Sequence, residues 1–212
     1  MHRSLFPSSF LFRVFFGLAS LSPAWAWAAG EVRIDQPSSI QGNACNPSNM
    51  RATLSPDGSA VSLLFDEFIA EAGGSKDSID RRTCIVDIPV NVAPGYQVAI
   101  SAVDYRGFLA LPKLGYAQFA TLFNLTGYSP VRIDRRMSAQ QAPLHTSFSY
   151  KNQLTKTDVD SRWSACGART SLRINTSLLV ASNNLREQTM AGIDSADFSS
   201  GVDLALLVRK CK

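Results

Sequence analysis

Several short motifs that identify enzymes and metal sites are absent from this 212-residue sequence. It contains no C-x-x-C, no H-E-x-x-H, no G-x-S-x-G and no glycine-rich loop for phosphate or a dinucleotide. Of the two histidines, only His145 lies outside the first 28 residues, which argues against a zinc site. His145 begins a predicted strand, where we expect a solvated or packed side chain. We therefore predict no cofactor, metal ligand or catalytic residue, and favour a protein that is not an enzyme.

Strong charge of one sign is also missing. The formal net charge is +4, and the basic residues are scattered rather than gathered in a stripe with interleaved aromatics. The densest clusters, Arg81-Arg82 and Arg135-Arg136, each follow an acidic residue. We therefore expect no nucleic-acid partner. A content of 45% hydrophobic and 18% charged residues also excludes a disordered tail.

Long apolar runs are limited to the N-terminus, where residues 1–28 have the layout of a secretory signal peptide. Arg3 supplies the positive start, the apolar run Val14–Leu21 is too short to span a bilayer, and Ala26-Trp27-Ala28 provides small residues for cleavage. We predict cleavage after Ala28, with a competing position two residues earlier; an arginine just before the apolar run leaves an uncleaved anchor as the alternative. Losing the two arginines of this segment lowers the formal charge from +4 to +2. The mature chain is expected to be secreted or periplasmic, without a membrane span.

Four cysteines lie in the exported part: Cys45, Cys84, Cys166 and Cys211. An even count in an oxidising compartment predicts two disulfides and no free thiol. Three pairings are possible and sequence alone does not choose among them. We predict the simplest, which is sequential: Cys45 with Cys84 and Cys166 with Cys211. Each bridge would close a loop of roughly 40 to 46 residues and stabilise the fold by about 4 kcal/mol in the chain-entropy model.

A period of two dominates the chain after residue 28 and predicts β-strands. Apolar and polar residues alternate most clearly in residues 61–65, 84–90, 172–180 and 202–208. Further strands are predicted over residues 116–125, 131–135 and 146–151, giving about nine or ten in all. Since no βαβ alternation is present, we expect an antiparallel sandwich or barrel. The preferred fold is an all-β, single-domain antiparallel β-sandwich over residues 29–212.

Turn residues fall between these strands. Both Ser55-Pro56-Asp57-Gly58 and Ala93-Pro94-Gly95 are predicted to be hairpin connections, and Pro89 is expected to place its strand at a sheet edge or beside a bulge. Residues 116–123 and 184–190 compete as short helices, although neither has a convincing cap. Loops are predicted over residues 72–78, 137–143 and 152–161.

Five motifs in order resemble those of a known family. They are SPDGSAVSLLFDEFIA, RTCIVDIPVNVAPGYQVAISAVDYRGFLAL, WSACG, LRINTSLLV and a cysteine near the end of the chain. From about Cys45 to Cys211 the sequence resembles the domain of unknown function 4360 family of secreted fungal and bacterial proteins. Ala165 departs from the pattern, because a proline is expected between Ser164 and Cys166. The resemblance implies an exported, Cys-paired, mainly β domain, and brings no activity or active-site residues.

One segment, Asp104-Tyr105-Arg106-Gly107, offers the chemistry of a ligand site. An aromatic ring that could stack on a sugar stands between two groups that could hydrogen-bond its hydroxyls, and the glycine allows unusual backbone torsion. The alternative is structural: a buried Tyr105 with an internal salt bridge from Asp104 to Arg106 that fixes a corner of the sandwich. The candidate ligand-binding residues are therefore Asp104, Tyr105 and Arg106, together with Trp163, for which packing on the adjacent disulfide is the alternative.

Carboxylates suggest two other kinds of site. Paired acids can hydrolyse glycosidic bonds, and Asp66-Glu67 is the most suggestive pair, although neighbours on a strand point to opposite faces unless a bulge intervenes. Asp158 with Asp160, and Asp194 with Asp197, could offer oxygen ligands to calcium, but neither pair has the spacing of a known calcium loop. Solvated loop acids are the expected role.

These observations predict a secreted, disulfide-stabilised binding or structural protein of the cell envelope or extracellular space. A glycan or cell-wall component is the expected partner. The alternative is a secreted glycan-acting hydrolase that uses paired carboxylates. A deep cleft with convergent carboxylates would favour the hydrolase, a shallow aromatic surface would favour the binding protein, and a long rigid exposed loop would favour an inhibitor of secreted enzymes.

Overall fold

Two antiparallel β-sheets pack against each other in the computed structural model, which describes residues 30–193 and 201–211. The predicted signal peptide, residues 1–28, and the pair Asp194 and Asp197 lie outside these residues. In chain order the elements are β1 (Val32–Ile34), β2 (Ser39–Gly42), β3 (Met50–Leu54), β4 (Ala60–Phe65), β5 (Phe68–Gly73), β6 (Ile79–Val92), β7 (Tyr96–Leu111), β8 (Tyr116–Leu125), β9 (Val131–Ser138), β10 (Leu144–Gln153), α1 (Lys156–Asp160), β11 (Arg169–Ala181), β12 (Gln188–Ile193) and β13 (Val202–Lys210). The predicted all-β antiparallel sandwich is confirmed.

The first sheet has the strand order β1-β6-β11-β8-β9, and β2 also pairs with β6. In the second sheet β7 is central: it pairs with β10 along one edge and with β13 and then β12 along the other. β4 continues the sheet beyond β13, and β5 continues it beyond β12. β3 completes this sheet by pairing with β4.

The core lies between the two sheets because the alternation in the sequence places one apolar side chain in every two on the inner face. On β11, Leu172, Ile174, Leu178 and Val180 are all fully buried. Their neighbours along the strand are partly or fully exposed. Aromatic rings fill much of the space, and the largest buried side chains are Tyr105, Phe65, Phe68, Phe119 and Phe123. The period of two was therefore a sufficient signal for these strands.

Both disulfides have the predicted pairing. Cys45 is bonded to Cys84, which lies on β6, and Cys166 is bonded to Cys211 just after β13. No free cysteine occurs in the described part of the chain. The first bridge is buried, whereas Cys166 of the second is exposed.

Neither of the two competing helices forms, and the predicted strand over residues 116–125 is confirmed. Residues 184–190 contain a turn and the start of β12, whose backbone pairs with β5 and β7, so sheet pairing prevails over the local helical pattern. Residues 116–123 belong to strand β8 rather than to the competing helix. The one helix of the described residues, α1, lies in the predicted loop 152–161, where the Thr155 hydroxyl accepts a hydrogen bond from the backbone of Asp158 and caps the first turn.

The two predicted hairpins have different outcomes. Ser55–Gly58 joins β3 to β4, which pair with each other as expected. Ala93–Gly95 is a tight turn, closed by a 3.1 Å hydrogen bond from the Tyr96 amide to the Ala93 carbonyl, but it leads from the first sheet to the second. It is not a hairpin because β1, β2 and β11 already occupy both edges of β6.

Pro89 lies on β6, an inner strand, and not at the predicted sheet edge. Its carbonyl accepts a hydrogen bond from the Asp35 amide at 3.0 Å, so its backbone faces residues 35–38, the break between β1 and β2. A proline has no N–H to donate at this position. The strand tolerates it because no partner strand is continuous there.

Candidate functional site

Tyr105 lies in the core and not on a ligand-accessible surface. Its side chain is 1% exposed, and its cross-strand neighbours are Tyr150 on β10 and Val202 on β13. Burial raises the pKa of the phenol well above its ordinary value of 10.0, while the nearby Thr121 hydroxyl offsets part of this increase. No partner among the described residues completes a hydrogen bond of ordinary geometry with this hydroxyl. Tyr105 therefore matches the buried-tyrosine alternative.

Asp104 and Arg106 alternate with Tyr105 along β7, so they belong to the outer face of the second sheet. Asp104 lies opposite Asp203 on one neighbouring strand and opposite Lys151 on the other. One carboxylate oxygen of Asp104 is buried without a partner among the described residues, and Arg106 is exposed. The described residues contain no Asp104–Arg106 ion pair. A ligand contact by Asp104 or Arg106 stays a prediction. The Tyr105 ring cannot take part in it, because it lies on the other face of the sheet.

Gly107 is required for a different reason than the predicted unusual torsion. Its φ is not in the left-handed region. A Cβ atom at this position would lie 2.0 Å from the Gly192 carbonyl oxygen and 2.7 Å from Cζ of Phe148. Close approach of neighbouring strands and of the Phe148 ring therefore demands glycine here.

Trp163 is half-buried beneath a cation. The guanidinium carbon of Arg209 lies 3.9 Å from the centre of the indole ring, which is cation–π geometry. The indole N–H is buried and has no partner among the described residues. Trp163 is three residues before Cys166 and Arg209 is two before Cys211, so the disulfide holds their two chain segments together.

Beside this disulfide a cleft of about 460 Å³ opens to solvent at one end of the sandwich. This volume is within the range of roughly 300–1,000 Å³ that is common for small-molecule sites. The lining residues come from the β8–β9 turn, the loop before β11 and the start of β11: Thr126, Gly127, Tyr128, Ser164, Ala165, Ala168, Arg169, Thr170 and Ser171. We name this feature the disulfide-end cleft.

One wall of the disulfide-end cleft is the loop 164–168, which backbone hydrogen bonds hold in place. The amide of Ser164 donates to the Val98 carbonyl at 2.8 Å, and the amide of Gly167 donates to the Tyr96 carbonyl at 2.9 Å. Gly167 has φ of +61°, in the left-handed region that glycine adopts without strain. Together with the disulfide, these bonds make the wall a fixed surface.

The other wall is the turn between β8 and β9, and it is tied to the first. The amide of Thr126 donates to the Ser171 carbonyl at 2.9 Å. The hydroxyl of Tyr128 donates to the backbone carbonyl of Trp163. A second link runs from Nε of Arg162 to the Ser129 carbonyl at 3.3 Å. The cleft is therefore preformed, and its ring and hydroxyl groups are held before any ligand arrives.

The described lining of the disulfide-end cleft combines an aromatic ring, hydroxyl groups and one cation. Tyr128 contributes a half-buried aromatic ring, and Thr126, Thr170 and Ser171 contribute hydroxyl groups. The only charged side chain in the lining is Arg169. Among the described residues, no carboxylate and no histidine line the cleft.

Two other concave regions differ in composition. A groove of about 610 Å³ runs between the free edges of β2 and β3; its lining includes Pro37, Ile40, Pro47 and Arg51 and no aromatic side chain. A smaller pocket of about 80 Å³ is lined by Glu31 and Asp57 among others. Hydrogen bonds from the hydroxyls of Ser55 and Ser59 lower the pKa of Asp57 to about 2, which keeps this carboxylate ionised and unsuited to act as a general acid near neutral pH.

The remaining predicted carboxylates in the described residues are exposed to solvent or form hydrogen bonds within the fold. Asp66 and Glu67 are exposed in the bend between β4 and β5. Asp158 belongs to α1, where the Thr155 hydroxyl and Arg162 hydrogen-bond its carboxylate and lower its pKa. In the parts of the chain that the structure describes, no group of three or more His, Cys, Asp or Glu side chains could hold a metal ion.

Sequence reasoning missed Tyr128, the aromatic residue of the disulfide-end cleft. The available signal was its place in Thr126-Gly127-Tyr128-Ser129-Pro130, where turn residues surround a large ring. Sequence reasoning did single out WSACG, which supplies Ser164 and Ala165 to the opposite wall. The contact between the two segments depends on their meeting at one end of the sandwich.

The fold and the two bridges define a disulfide-bonded antiparallel β-sandwich with a cleft beside its second disulfide. The chain belongs to the family described as Domain of unknown function (DUF4360), which matches residues 31–211. An uncharacterized secreted protein of Arthroderma benhamiae is 23% identical over 159 residues, which are 74% of this chain and 63% of the relative. The bridges and this secreted relative fit an extracellular location. Across residues 30–193 and 201–211, no helix has the length and apolar character needed to cross a bilayer.

Two solved structures show distant likeness. One is TmCBM61 in complex with β-1,4-galactotriose, with 10% identity, a TM-score of 0.20, and coverage of 86% of this chain and 90% of that chain. The other is the enzymatically active domain of tailspike protein 4 of bacteriophage CBA120, with 8% identity, a TM-score of 0.24, and coverage of 86% and 20%. At TM-scores below 0.5, neither likeness establishes a shared fold.

Proposed function

We propose that this protein is an extracellular glycan-binding protein and that the disulfide-end cleft holds one end or one residue of the saccharide. The observation that carries the proposal is the Tyr128 ring, which the hydroxyl bond to Trp163 fixes between two tethered walls. A binding site built on fixed elements loses little entropy when the ligand arrives.

The chemistry of the cleft suits a sugar. A pyranose ring has an apolar face of C–H groups and a rim of hydroxyls. The face can pack on an aromatic ring such as Tyr128, while the rim requires hydrogen-bond partners. Thr126, Thr170 and Ser171 line the same cleft; the hydroxyls of Thr126 and Ser171 donate to backbone carbonyls and keep their lone pairs to accept from a sugar hydroxyl. The larger groove between β2 and β3 offers polar groups without an aromatic ring.

Binding without hydrolysis follows from what lines the cleft. Glycoside hydrolysis needs two carboxyl groups about 5 to 9.5 Å apart. Residues 30–193 and 201–211 contribute no carboxyl group to the lining of the disulfide-end cleft, and the one charged group that they contribute, a guanidinium, does not release a proton near neutral pH. The site therefore supports recognition better than the alternative of a glycan-acting hydrolase.

A glycan array probed with the mature protein, followed by calorimetry on the strongest ligand, tests this proposal. Tyr128→Ala should weaken binding by roughly tenfold or more, because a lost aromatic contact costs about 1 kcal/mol beyond its buried area. Tyr128→Phe keeps the ring but removes its bond to the Trp163 carbonyl, so it should lose affinity by a smaller factor than Tyr128→Ala.

The matched control is Tyr150→Ala. Tyr150 is also half-buried, but it stacks on Phe148 with ring centres 5.4 Å apart and does not line the cleft. This variant should lower the melting temperature and leave the affinity unchanged. If a folded Tyr128→Ala protein binds as tightly as the wild type, the cleft is not the glycan site.

A further inference from the structure

Within the proposed glycan site, Arg169 carries the one charged side chain among the described lining residues, and it has no ion-pair partner there. The described residues form five ion pairs, which involve Lys76, Arg82, Arg132, Arg162 and Arg173. Arg169 takes part in none of them, although it is exposed at the start of β11 and lines the cleft. Its guanidinium is therefore available to a ligand.

We infer that the disulfide-end cleft is selective for an anionic saccharide, and that Arg169 binds the carboxylate of a uronic acid residue. This inference rests on the proposed glycan-binding function. A planar guanidinium presents paired N–H groups that match a carboxylate and form charge-assisted hydrogen bonds. A neutral sugar would leave this cation without an opposite charge.

The surroundings of Arg169 favour a negative ligand. The eight other lining residues carry no charged side chain, so no acid within the cleft lining competes for the guanidinium. Asn91, the cross-strand partner of Arg169 on β6, donates from Nδ2 to the Asp35 carboxylate at 3.0 Å. The Asp35 carboxylate thus accepts a hydrogen bond from the Asn91 side-chain amide and forms no ion pair with Arg169.

The position of Arg169 also fits a sugar that stacks on Tyr128. Arg169 and Thr170 belong to β11, whereas Tyr128 belongs to the turn after β8, and the two segments line the same cleft. The bond from Thr126 to the Ser171 carbonyl holds the turn against β11. A single sugar ring in this space would have the aromatic group and the cation available at once.

The test uses calorimetry on the mature protein with trimers of galacturonic acid and tetramers of hyaluronate, each with free carboxylates and as methyl esters. Esterification removes the negative charge and keeps the backbone of the sugar. The wild type should bind at least one free acid about tenfold or more tightly than its ester. Arg169→Ala should remove that difference and leave the affinity for the ester unchanged.

Arg51→Ala is the matched control, because Arg51 is also exposed and lines the other groove, between β2 and β3. This variant makes the same change in net charge and should keep the preference for the acid. If Arg51→Ala and Arg169→Ala weaken binding equally, general attraction of polyanions explains the result and the inference is overturned. Equal wild-type affinity for acid and ester, with loss of both in Tyr128→Ala, overturns the inference and leaves the proposed function standing.

Two further outcomes complete the test. A sulfated maltotriose that binds as tightly as the uronates would show that the site selects negative charge but not a carboxylate, which overturns the assignment to uronic acids. Absence of binding to every saccharide, neutral maltotriose included, overturns both the inference and the glycan-binding function.

Discussion

The guanidinium of Arg209 on β13 lies over the ring of Trp163, 3.9 Å from its centre, next to the disulfide that joins their two segments. Trp163 was predicted as a ligand-binding residue or as packing for the bridge. In the structure one face of its ring is covered by the protein's own cation, and its backbone carbonyl anchors Tyr128. Trp163 thus stabilises the cleft through its backbone carbonyl, which accepts the hydrogen bond from Tyr128.

This relationship predicts an energetic coupling between Trp163 and Arg209. A double-mutant cycle with Trp163→Leu and Arg209→Gln should give a coupling of about 0.5–2 kcal/mol, since a half-buried cation–π pair lies within that range. The measurement is urea unfolding of the four proteins. Additive single effects, with coupling below about 0.3 kcal/mol, would show that the contact contributes nothing to stability.

Tyr105 should behave as a core residue whose hydroxyl is dispensable. Tyr105→Phe removes a buried hydroxyl that lacks a partner among the described residues, so the free energy of unfolding should be unchanged or rise by about 1 kcal/mol. Tyr105→Ala should cost about 3–5 kcal/mol because it leaves a cavity. A loss of more than about 1 kcal/mol in Tyr105→Phe would reveal a hydrogen bond to the hydroxyl.

The raised pKa of Tyr105 also predicts a pH dependence. Burial disfavours the phenolate, so the folded pKa lies above the unfolded one. The unfolded state therefore loses its proton first as the pH rises, and the associated stability is fully present below about pH 10 and declines above it. Unfolding curves between pH 9 and 11 should show a steeper decline for the wild type than for Tyr105→Phe. Parallel curves would contradict the burial of the phenol.

The two disulfides should differ in accessibility to reductant. Cys166 is exposed, whereas Cys45 and Cys84 are 5% and 1% exposed. Brief treatment with a phosphine, alkylation and peptide mapping should find the Cys166–Cys211 bridge reduced first. Earlier reduction of the buried bridge would contradict this order.

Loss of the Cys166–Cys211 bridge in a Cys166→Ser/Cys211→Ser protein should cost about 2–5 kcal/mol of unfolding free energy. It should also weaken ligand binding, because Cys166 belongs to the loop 164–168 that forms one wall of the cleft.

Gly107 should tolerate no side chain. In Gly107→Ala the new methyl group would meet the Gly192 carbonyl oxygen at 2.0 Å, so strands β7 and β12 must separate locally. We expect a loss of about 1–3 kcal/mol or more in urea unfolding. Ser149→Ala, an exposed change on neighbouring β10, is the control and should stay within about 0.5 kcal/mol of the wild type. A neutral Gly107→Ala would show that the close approach is not required.

Much of this fold was predictable because its physical causes are local. The alternation of Leu172, Ile174, Leu178 and Val180 predicts an inner strand face wherever that strand lies in the sheet. Sequential disulfide pairing also agreed, because the chain brings each cysteine back to the nearest one in sequence. Short strands such as β1, β2 and β12 escaped notice since their few residues carry little periodic signal.

The candidate site was less predictable because it depends on contacts between distant segments. The sequence places an aromatic ring between two polar groups at Asp104, Tyr105 and Arg106. Side chains alternate along β7, so Tyr105 points into the core and its two neighbours point to the opposite face. Around Tyr128 the sequence contains only turn residues. The ring lines the cleft because the β8–β9 turn contacts the loop before β11.

Sequence by itself thus determined the class of fold, the inner faces of the long strands and the chemistry expected of an exported chain with paired cysteines. These properties follow from side-chain polarity, periodicity and cysteine count, which need no knowledge of neighbours. Tertiary structure decided which aromatic ring is buried and which lines a cleft, and which arginine lies beside that cleft. Such choices depend on which strands become neighbours, and burial and pairing have no meaning until the two sheets are packed.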